Sequence, residues 1–186
     1  MDRIPELYLS FLGILKMGAI VQPLFSAFGE ESLFVRLENA GTRAIITQKK
    51  HLGKVRKIRQ QLPDLEFVII VDEMKPADLV PGEVLFSLDR AEPVEQFDIC
   101  PTHAETPSVL HYTSGTTGQP KGVRHVHYSL ISQYLTTKWV LDLRDDDIYW
   151  CTADPGWVTG TSYGIIGPWS LGVTQCVLDT GFSAQA

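Results

Sequence analysis

The sequence predicts an α/β fold in which helices and strands alternate and the strands form a layered, mostly parallel sheet. Apolar residues recur at helical spacing in several segments, and short runs of branched apolar residues separate those segments. Alternation of this kind is typical of parallel strands whose faces are covered by helices. The composition fits one globular domain, since 44% of the 186 residues are hydrophobic and 20% are charged.

Three helices and three strands are predicted in the first part of the chain. Asp2 can cap the first helix and Gly18 can end it, while Glu30 stands in the early turns of the second helix and Gly41 follows its end. The third helix is basic and amphipathic. The predicted helices are 4–17, 26–40 and 49–62, and the predicted strands are 19–24, 43–47 and 67–71.

Residues 72–107 form an acidic, proline-rich excursion. Between 72 and 98 there are eight acidic residues against two basic ones, and five of the eleven prolines lie between 76 and 107. This composition predicts a long solvated loop with short strands.

After the excursion the chain becomes rich in glycine and aromatic residues. Five glycines lie between 156 and 172, and all four tryptophans lie in the last 48 residues. Such a combination suits the wall of a pocket that the backbone approaches closely. The strands predicted in this part are 108–112, 148–152 and 173–178, and the predicted helix is 125–140.

Charge and cysteine content argue against several classes of protein. A net charge of −6 disfavours a nucleic-acid binder, which normally presents a basic face. Cys100, Cys151 and Cys176 form no C-x-x-C pair, so we expect reduced thiols in a cytoplasmic protein instead of a disulfide scaffold or a zinc site. The apolar run 7–21 is broken by a serine and a lysine. It is shorter than a membrane span of about 20 residues, so no membrane association is expected.

Residues 112–123 carry the clearest chemical signal. Three glycines let backbone amides converge on an anion, serine and threonine hydroxyls can donate to phosphate oxygens, and Lys121 adds a positive charge. A helix is expected to follow, with its N-terminus favouring negative charge. The segment therefore predicts a polyphosphate site, with a flexible surface turn as the alternative. It reads Tyr112-Thr113-Ser114-Gly115-Thr116-Thr117-Gly118-Gln119-Pro120-Lys121-Gly122-Val123.

The glycine spacing excludes two common nucleotide motifs and points to a third. Gly115 and Gly118 fit neither G-x-x-x-x-G-K-S/T nor G-x-G-x-x-G. The string instead resembles the phosphate-binding loop of the adenylate-forming enzymes, which include acyl-CoA synthetases, luciferases and peptide-synthetase adenylation domains. Their pattern, Y-T-S-G-(S/T)-T-G-x-P-K-G-V, is matched at all eleven specified positions.

A second segment makes the chain similar to the acetyl-CoA synthetases within that superfamily. Residues 149–160 look like W-x-x-A-D-x-G-W-x-T-G. Many family members continue with His-Ser-Tyr, whereas this chain has Thr161 before Ser162 and Tyr163. The departure at Thr161 leaves the acyl preference open. The run 15–41 also looks like this family.

The resemblance implies an enzyme that activates a small carboxylate such as acetate with ATP and magnesium. It would form an acyl-adenylate and pyrophosphate, and then pass the acyl group to coenzyme A. Lys121 is expected to stabilise the charge of the departing pyrophosphate. The residues expected to hold the ATP phosphates are Thr113, Ser114, Gly115, Thr116, Thr117, Gly118 and Lys121, and those expected to line an acyl and coenzyme A wall are Trp157, Val158, Thr159 and Gly160.

Other chemically capable side chains have weaker signals. Asp154 has no partner at a diagnostic spacing, so a loop or capping role is expected in place of a metal or ribose ligand. His125 and His127 have no third ligand, so no metal site is predicted, and Cys151 has no identifiable base. Core packing is the alternative for Trp157. The tryptophans expected in the core are Trp139, Trp150 and Trp169.

We interpret residues 1–186 as an internal part of the large N-terminal adenylation domain. The resemblance implies adenine and ribose motifs and a C-terminal domain with a catalytic lysine, none of which is recognisable here. The isolated chain is therefore expected to be inactive, and exposed strand edges are expected to favour self-association. A stand-alone, non-catalytic nucleotide- or phosphate-binding module is the alternative. A phosphotransferase is disfavoured because no acidic base stands near the loop.

Overall fold

The computed structural model describes residues 1–86, 97–113 and 118–179. Its helices are α1 (Pro5–Lys16), α2 (Glu30–Asn39), α3 (Lys49–Arg59), α4 (Ser129–Trp139), α5 (Val158–Thr161) and α6 (Gly167–Ser170), with a 3-10 turn at Pro76–Asp78 and a π-helical turn at Ser162–Ile166. Its strands are β1 (Ala44–Thr47), β2 (Phe67–Ile70), β3 (Glu83–Leu85), β4 (Pro107–Thr113), β5 (Lys121–Val126), β6 (Ile148–Tyr149) and β7 (Thr174–Gln175).

The chain divides into two compact units. Unit 1 consists of Met1, Ser26–Asp98 and Ser114–Gly122, and unit 2 consists of Asp2–Phe25, Ile99–Thr113 and Val123–Ala186.

Unit 1 is built on a parallel sheet in the order β1-β2-β3. Its core comes from one face of α3 and from the central strand. Leu52, Val55 and Ile58 recur at helical spacing and are buried, as are Val68 and Ile70 of β2. Burying each such side chain is worth about 1.5–3 kcal/mol, so this apolar face holds the helix on the sheet.

An ion pair with one buried partner ties α3 to the start of β3. The guanidinium of Arg56 donates to both carboxylate oxygens of Glu83, at 2.8 and 2.7 Å, and the amide of Val80 donates to the same carboxylate at 3.1 Å. The side chain of Glu83 is fully buried. The bond from Arg56 lowers the pKa of Glu83, so the carboxylate stays charged at neutral pH.

Unit 2 packs α1 and the helical run 158–170 around one apolar cluster. The buried members of that cluster are Phe11, Val21, Val109, Ile165 and Ile166. Its strands form two pairs, β4 with β5 and β6 with β7, and the second pair is parallel.

The helical run 158–170 is fastened to α4. Gln133 donates to the hydroxyl of Ser162 at 3.2 Å, and the hydroxyl of Tyr163 donates to that of Thr136 at 3.1 Å. Thr137 is fully buried against Gly167, where an added Cβ would collide with its hydroxyl. The π-helical turn widens the helix between these contacts, a feature frequent at functional sites.

The α/β class and the parallel pairing predicted from the sequence are confirmed. The strands form three small sheets in the part of the chain that the structure describes, instead of one larger sheet. The predicted strand 19–24 is wrong: Val21 alone bridges to Val109. The nearby Pro23 has no amide hydrogen to continue the ladder.

Two predicted helices begin later than expected because their first residues have other backbone partners. Lys54 donates to the carbonyls of Ser26 and Phe28, both at 2.8 Å, and α2 begins only at Glu30. In the same way, the amide of His127 donates to the carbonyl of Thr106 at 2.9 Å. The strand β5 therefore runs to Val126, and a turn at 127–128 leads into α4.

The prediction that three tryptophans lie in the core is wrong for two of them. Trp139 is 70% exposed and Trp150 is 40% exposed. Trp169 packs against the cluster of unit 2 and lies 5.7 Å from the ring of Tyr8. Among the residues that the structure describes, no helix has both the length and the apolar character needed to cross a membrane.

Candidate active site

The glycine-rich segment connects two strands. β4 ends at Thr113 and β5 begins at Lys121, and the prediction that a helix follows the loop directly is therefore wrong. β5 forms because it pairs with β4: the hydroxyl of Ser108 donates to the carbonyl of His125 at 3.3 Å. Four predicted phosphate-binding residues lie outside the described residues. They are Ser114, Gly115, Thr116 and Thr117.

The described ends of this segment offer groups that suit an anion. Gly118 has a φ of 84°, a conformation that a side chain would strain. Thr113 and Lys121 are exposed, and no acidic side chain in 1–86, 97–113 or 118–179 forms a salt bridge with Lys121.

His111 lies two residues before the end of β4 and adds no positive charge at neutral pH. It is buried, and its ring meets that of His125 edge to face at 5.7 Å. Burial, and secondarily the neighbouring His125, lower the pKa of His111 from 6.5 to about 4. The positive charge near the loop must come from exposed groups such as Lys121.

The predicted acyl wall begins with a tight turn at 154–157. The side chain of Asp154 accepts from the amide of Gly156 at 2.8 Å, and its carbonyl accepts from the amide of Trp157 at 2.9 Å. Asp154 therefore has the loop role that the sequence indicated. Helix α5 starts directly after this turn, at Val158.

Two glycines allow the turn to pack closely in unit 2. A Cβ on Gly156 would lie 2.6 Å from the amide nitrogen of Phe25. A Cβ on Gly160 would collide with the carbonyl of Asp154. Only glycine permits the first turn of α5 to fold back onto 154–157 in this way.

Trp157 and Val158 point out of the core. Trp157 is 53% exposed and Val158 is 46% exposed, while Gly160 is buried. The indole packs at an angle against the ring of Phe25, with 6.0 Å between the ring centroids. Core packing, the alternative for Trp157, is therefore wrong within the part of the chain that the structure describes.

We compared the chain with known protein families. Residues 1–185 match the family described as AMP-binding enzyme. The chain belongs to that family.

Curated members similar to this chain are acetyl-coenzyme A synthetases. The protein of Bacillus subtilis is 45% identical over 188 residues, which cover 100% of this chain and 32% of that protein. The protein of Pyrobaculum arsenaticum is 36% identical over 96% of this chain and 29% of its own length. The chain thus spans about a third of the length of these relatives.

Two solved structures share the fold of this chain. The Brucella canis acyl-CoA synthetase superposes with a TM-score of 0.86 at 30% identity, over 99% of this chain and 33% of its own. An anthranilate CoA ligase in complex with anthranoyl-AMP gives 0.78 at 27% identity, over 92% of this chain and 33% of its own.

Sequence reasoning missed Phe25, and it noted Thr161 only as a departure from the family pattern. Phe25, far away in sequence, supports the ring of Trp157, and no local pattern indicates such a contact. Thr161 is buried and bonded to the turn. Its signal was present in the sequence, because the chain departs from the family pattern at this position.

In the described residues, no three His, Cys, Asp or Glu side chains lie close enough together to hold a metal ion. His125 and His127 lie two residues apart at the end of β5, and the Nε2 atom of His127 is buried without a hydrogen-bond partner in the described part of the chain.

Proposed function

We propose that this chain forms part of the nucleotide- and carboxylate-binding region of an acetyl- or short-acyl-CoA synthetase. The activity is the reaction of a small carboxylate with ATP to give an acyl-adenylate and pyrophosphate, followed by transfer of the acyl group to coenzyme A. The complete phosphate-loop string at 112–123 carries this proposal. The 45% identity to the Bacillus subtilis acetyl-coenzyme A synthetase supports it.

The phosphate loop would neutralise negative charge on the phosphates of ATP. A carboxylate attacking the α-phosphate of ATP is an anion approaching an anion, so catalysis depends on positioning and on neutralising negative charge. Lys121 supplies a cation that the described acidic side chains leave unpaired, and Gly118 supplies a backbone that a ligand can approach. The residues proposed to hold the ATP phosphates are Thr113, Ser114, Gly115, Thr116, Thr117, Gly118 and Lys121.

The acyl wall would hold the other reactant. The exposed Trp157 and Val158 offer apolar surface to a methyl group and to the pantetheine arm of coenzyme A, and Thr159 is exposed beside them. Buried Gly160 lets α5 lie close to the carbonyl of Asp154. An apolar surface with few polar groups suits a short acyl chain.

The test is a chimera in which this chain replaces the aligned segment of the Bacillus subtilis acetyl-coenzyme A synthetase. We expect the chimera to release pyrophosphate from ATP and magnesium in the presence of acetate and to form a thioester with coenzyme A. Binding of ATP without pyrophosphate release under any carboxylate would favour the stand-alone binding module and contradict the synthetase.

Lys121→Ala in this chimera tests the phosphate role directly. Loss of one group that stabilises developing charge is expected to lower the rate of acetate-dependent pyrophosphate exchange on the order of a hundredfold. Lys138→Ala is the matched control, since Lys138 is an exposed lysine on α4 that lies over the ring of Tyr134. Equal exchange rates in the two variants would exclude Lys121 from the phosphate site.

A further inference from the structure

Thr161 connects the start of the helical run 158–170 to the turn before it. Its hydroxyl lies 2.8 Å from the carbonyl of Pro155 and 3.3 Å from that of Trp157. The residue is 1% exposed. Since the hydroxyl carries one hydrogen, it donates chiefly to the nearer carbonyl, that of Pro155.

The carbonyl of Pro155 belongs to a turn whose backbone is also held by hydrogen bonds to Asp154 and by the close approach of α5 at Gly160. Asp154 accepts from the amides of Gly156 and Trp157, and Gly160 lets α5 approach the carbonyl of Asp154. The hydroxyl of Thr161 therefore completes a set of bonds that defines the path of residues 154–157.

This turn displays the apolar surface proposed to meet the acyl group. Trp157 is its last residue, and Val158 is the first residue of α5. Both are about half exposed, at 53% and 46%, so the core does not hold their side chains on all sides. Their position depends on the backbone of the turn and on the contact between Trp157 and Phe25.

We propose that Thr161 is a positioning residue that sets acyl-chain selectivity by holding the turn at 154–157 and thereby the surface of Trp157 and Val158. This inference rests on the proposed synthetase function and extends it to a residue behind the wall. A pocket for a two-carbon acyl group must exclude one further methylene, and discrimination of that size depends on small displacements of the wall.

The physical basis is the difference between a hydroxyl and a methyl group in a buried place. Thr161→Val keeps the shape of the side chain and removes the donor, so the carbonyl of Pro155 loses its buried partner. Relief of that loss requires the turn to move toward another donor. A displaced turn shifts Trp157 and admits longer carboxylates.

The experiment uses the chimera described above and measures kcat/KM for acetate, propionate and butyrate by pyrophosphate release. Thr161→Val is expected to raise the propionate-to-acetate ratio about tenfold, within the range that one methylene can discriminate. The KM for ATP is expected to stay within about twofold of the parent, because the phosphate loop keeps its residues. Thr161→Ser retains the donor and is expected to keep the parental ratio.

Two features separate positioning from a loss of stability. The ratio of two substrates does not depend on the concentration of folded enzyme, so partial unfolding cancels from it. Thr137→Val is the matched control, since Thr137 is another fully buried threonine of unit 2 and its hydroxyl has no partner in the described part of the chain. This control is expected to leave the ratio unchanged. Thr161→Ala removes the same hydroxyl with less crowding and replaces the valine variant if that variant does not fold.

The outcomes distinguish this inference from the function on which it rests. A parental chimera that activates no carboxylate overturns both. An active chimera whose carboxylate ratio is the same with threonine, valine or alanine at position 161 overturns the positioning role and leaves the synthetase function standing. A ratio changed equally by Thr137→Val also overturns it, since the effect would then be general to buried threonines.

Discussion

At the scale of single residues, His111 makes the stability of unit 2 depend on pH. In the folded chain its pKa is lowered from 6.5 to about 4 by burial and by His125. The unfolded chain therefore binds a proton first as the pH falls, and the free energy of unfolding decreases between pH 6.5 and 4. The loss over this interval is about 3 kcal/mol.

Urea unfolding of the chain at a series of pH values measures this dependence. His111→Gln is expected to remove most of the decrease in that interval, because glutamine does not titrate. His103→Gln is the control, since His103 is exposed. Identical pH profiles for the parent and the His111→Gln variant would contradict the assignment. Carboxylates such as Glu83, whose pKa is also lowered, add a further decrease at pH values below their ordinary pKa.

Gly160 gives a second prediction at the residue scale. An alanine there would press its Cβ against the carbonyl of Asp154, so Gly160→Ala is expected to lower the free energy of unfolding by about 3 kcal/mol. Gly13→Ala is the opposite case, since nothing lies within 4 Å of its Cβ position inside α1. Replacing that helical glycine is expected to add about 1 kcal/mol. Urea midpoints that shift equally in the two variants would contradict the close approach.

At the scale of elements, two ion pairs of the same chemistry differ in burial. Glu83 is buried and accepts from Arg56 and the amide of Val80, whereas Glu66 is exposed and pairs with Arg43. Glu83→Ala leaves donors without a buried acceptor and is expected to cost about 2 kcal/mol. Glu66→Ala is expected to change stability little, because water screens that pair. Equal shifts of the urea midpoint would show that the burial of Glu83 does not matter.

The sequence predicted elements best where one periodic pattern acts alone. The apolar face of α3 and the branched run of β2 indicated both elements to within a few residues. Prediction from the sequence failed where groups that are distant in sequence form hydrogen bonds with the backbone. Lys54 holds the carbonyls before α2, and β4 keeps the chain extended before α4. The spacing of residues along the chain does not indicate such partners.

The candidate site also has some features that a local sequence pattern indicates and others that depend on contacts between distant segments. The phosphate site could be proposed from the sequence because its chemistry is local, with glycines, hydroxyls and Lys121 in one string, and it stays a prediction. The support of Trp157 by Phe25 was not predictable, since their ring contact joins segments far apart in sequence. Thr161 lies between these cases: its departure from the family pattern was visible, but its bond to Pro155 needed the fold.

At the scale of the whole molecule, the chain presents several large apolar side chains to solvent. Ile148 is 77% exposed, Val140 76% and Trp139 70%. Exposed apolar residues of this size mark surfaces that other protein normally covers. Self-association of the isolated chain stays a prediction, and its origin would lie at the end of α4 and in β6.

The last prediction concerns catalysis by the 186 residues alone. They span about a third of the length of the acetyl-coenzyme A synthetases they match. Phosphate binding by itself cannot orient a carboxylate for attack, because the reaction needs the ribose, the phosphates and the acyl group to be held together. We therefore expect no acetate-dependent pyrophosphate release from the isolated chain with ATP and magnesium. We also expect weak pyrophosphate binding that falls with rising salt. Isothermal titration and a pyrophosphate assay measure both, with Lys121→Ala as the control. Release above the level of that variant would mean that these residues contain every group the reaction requires.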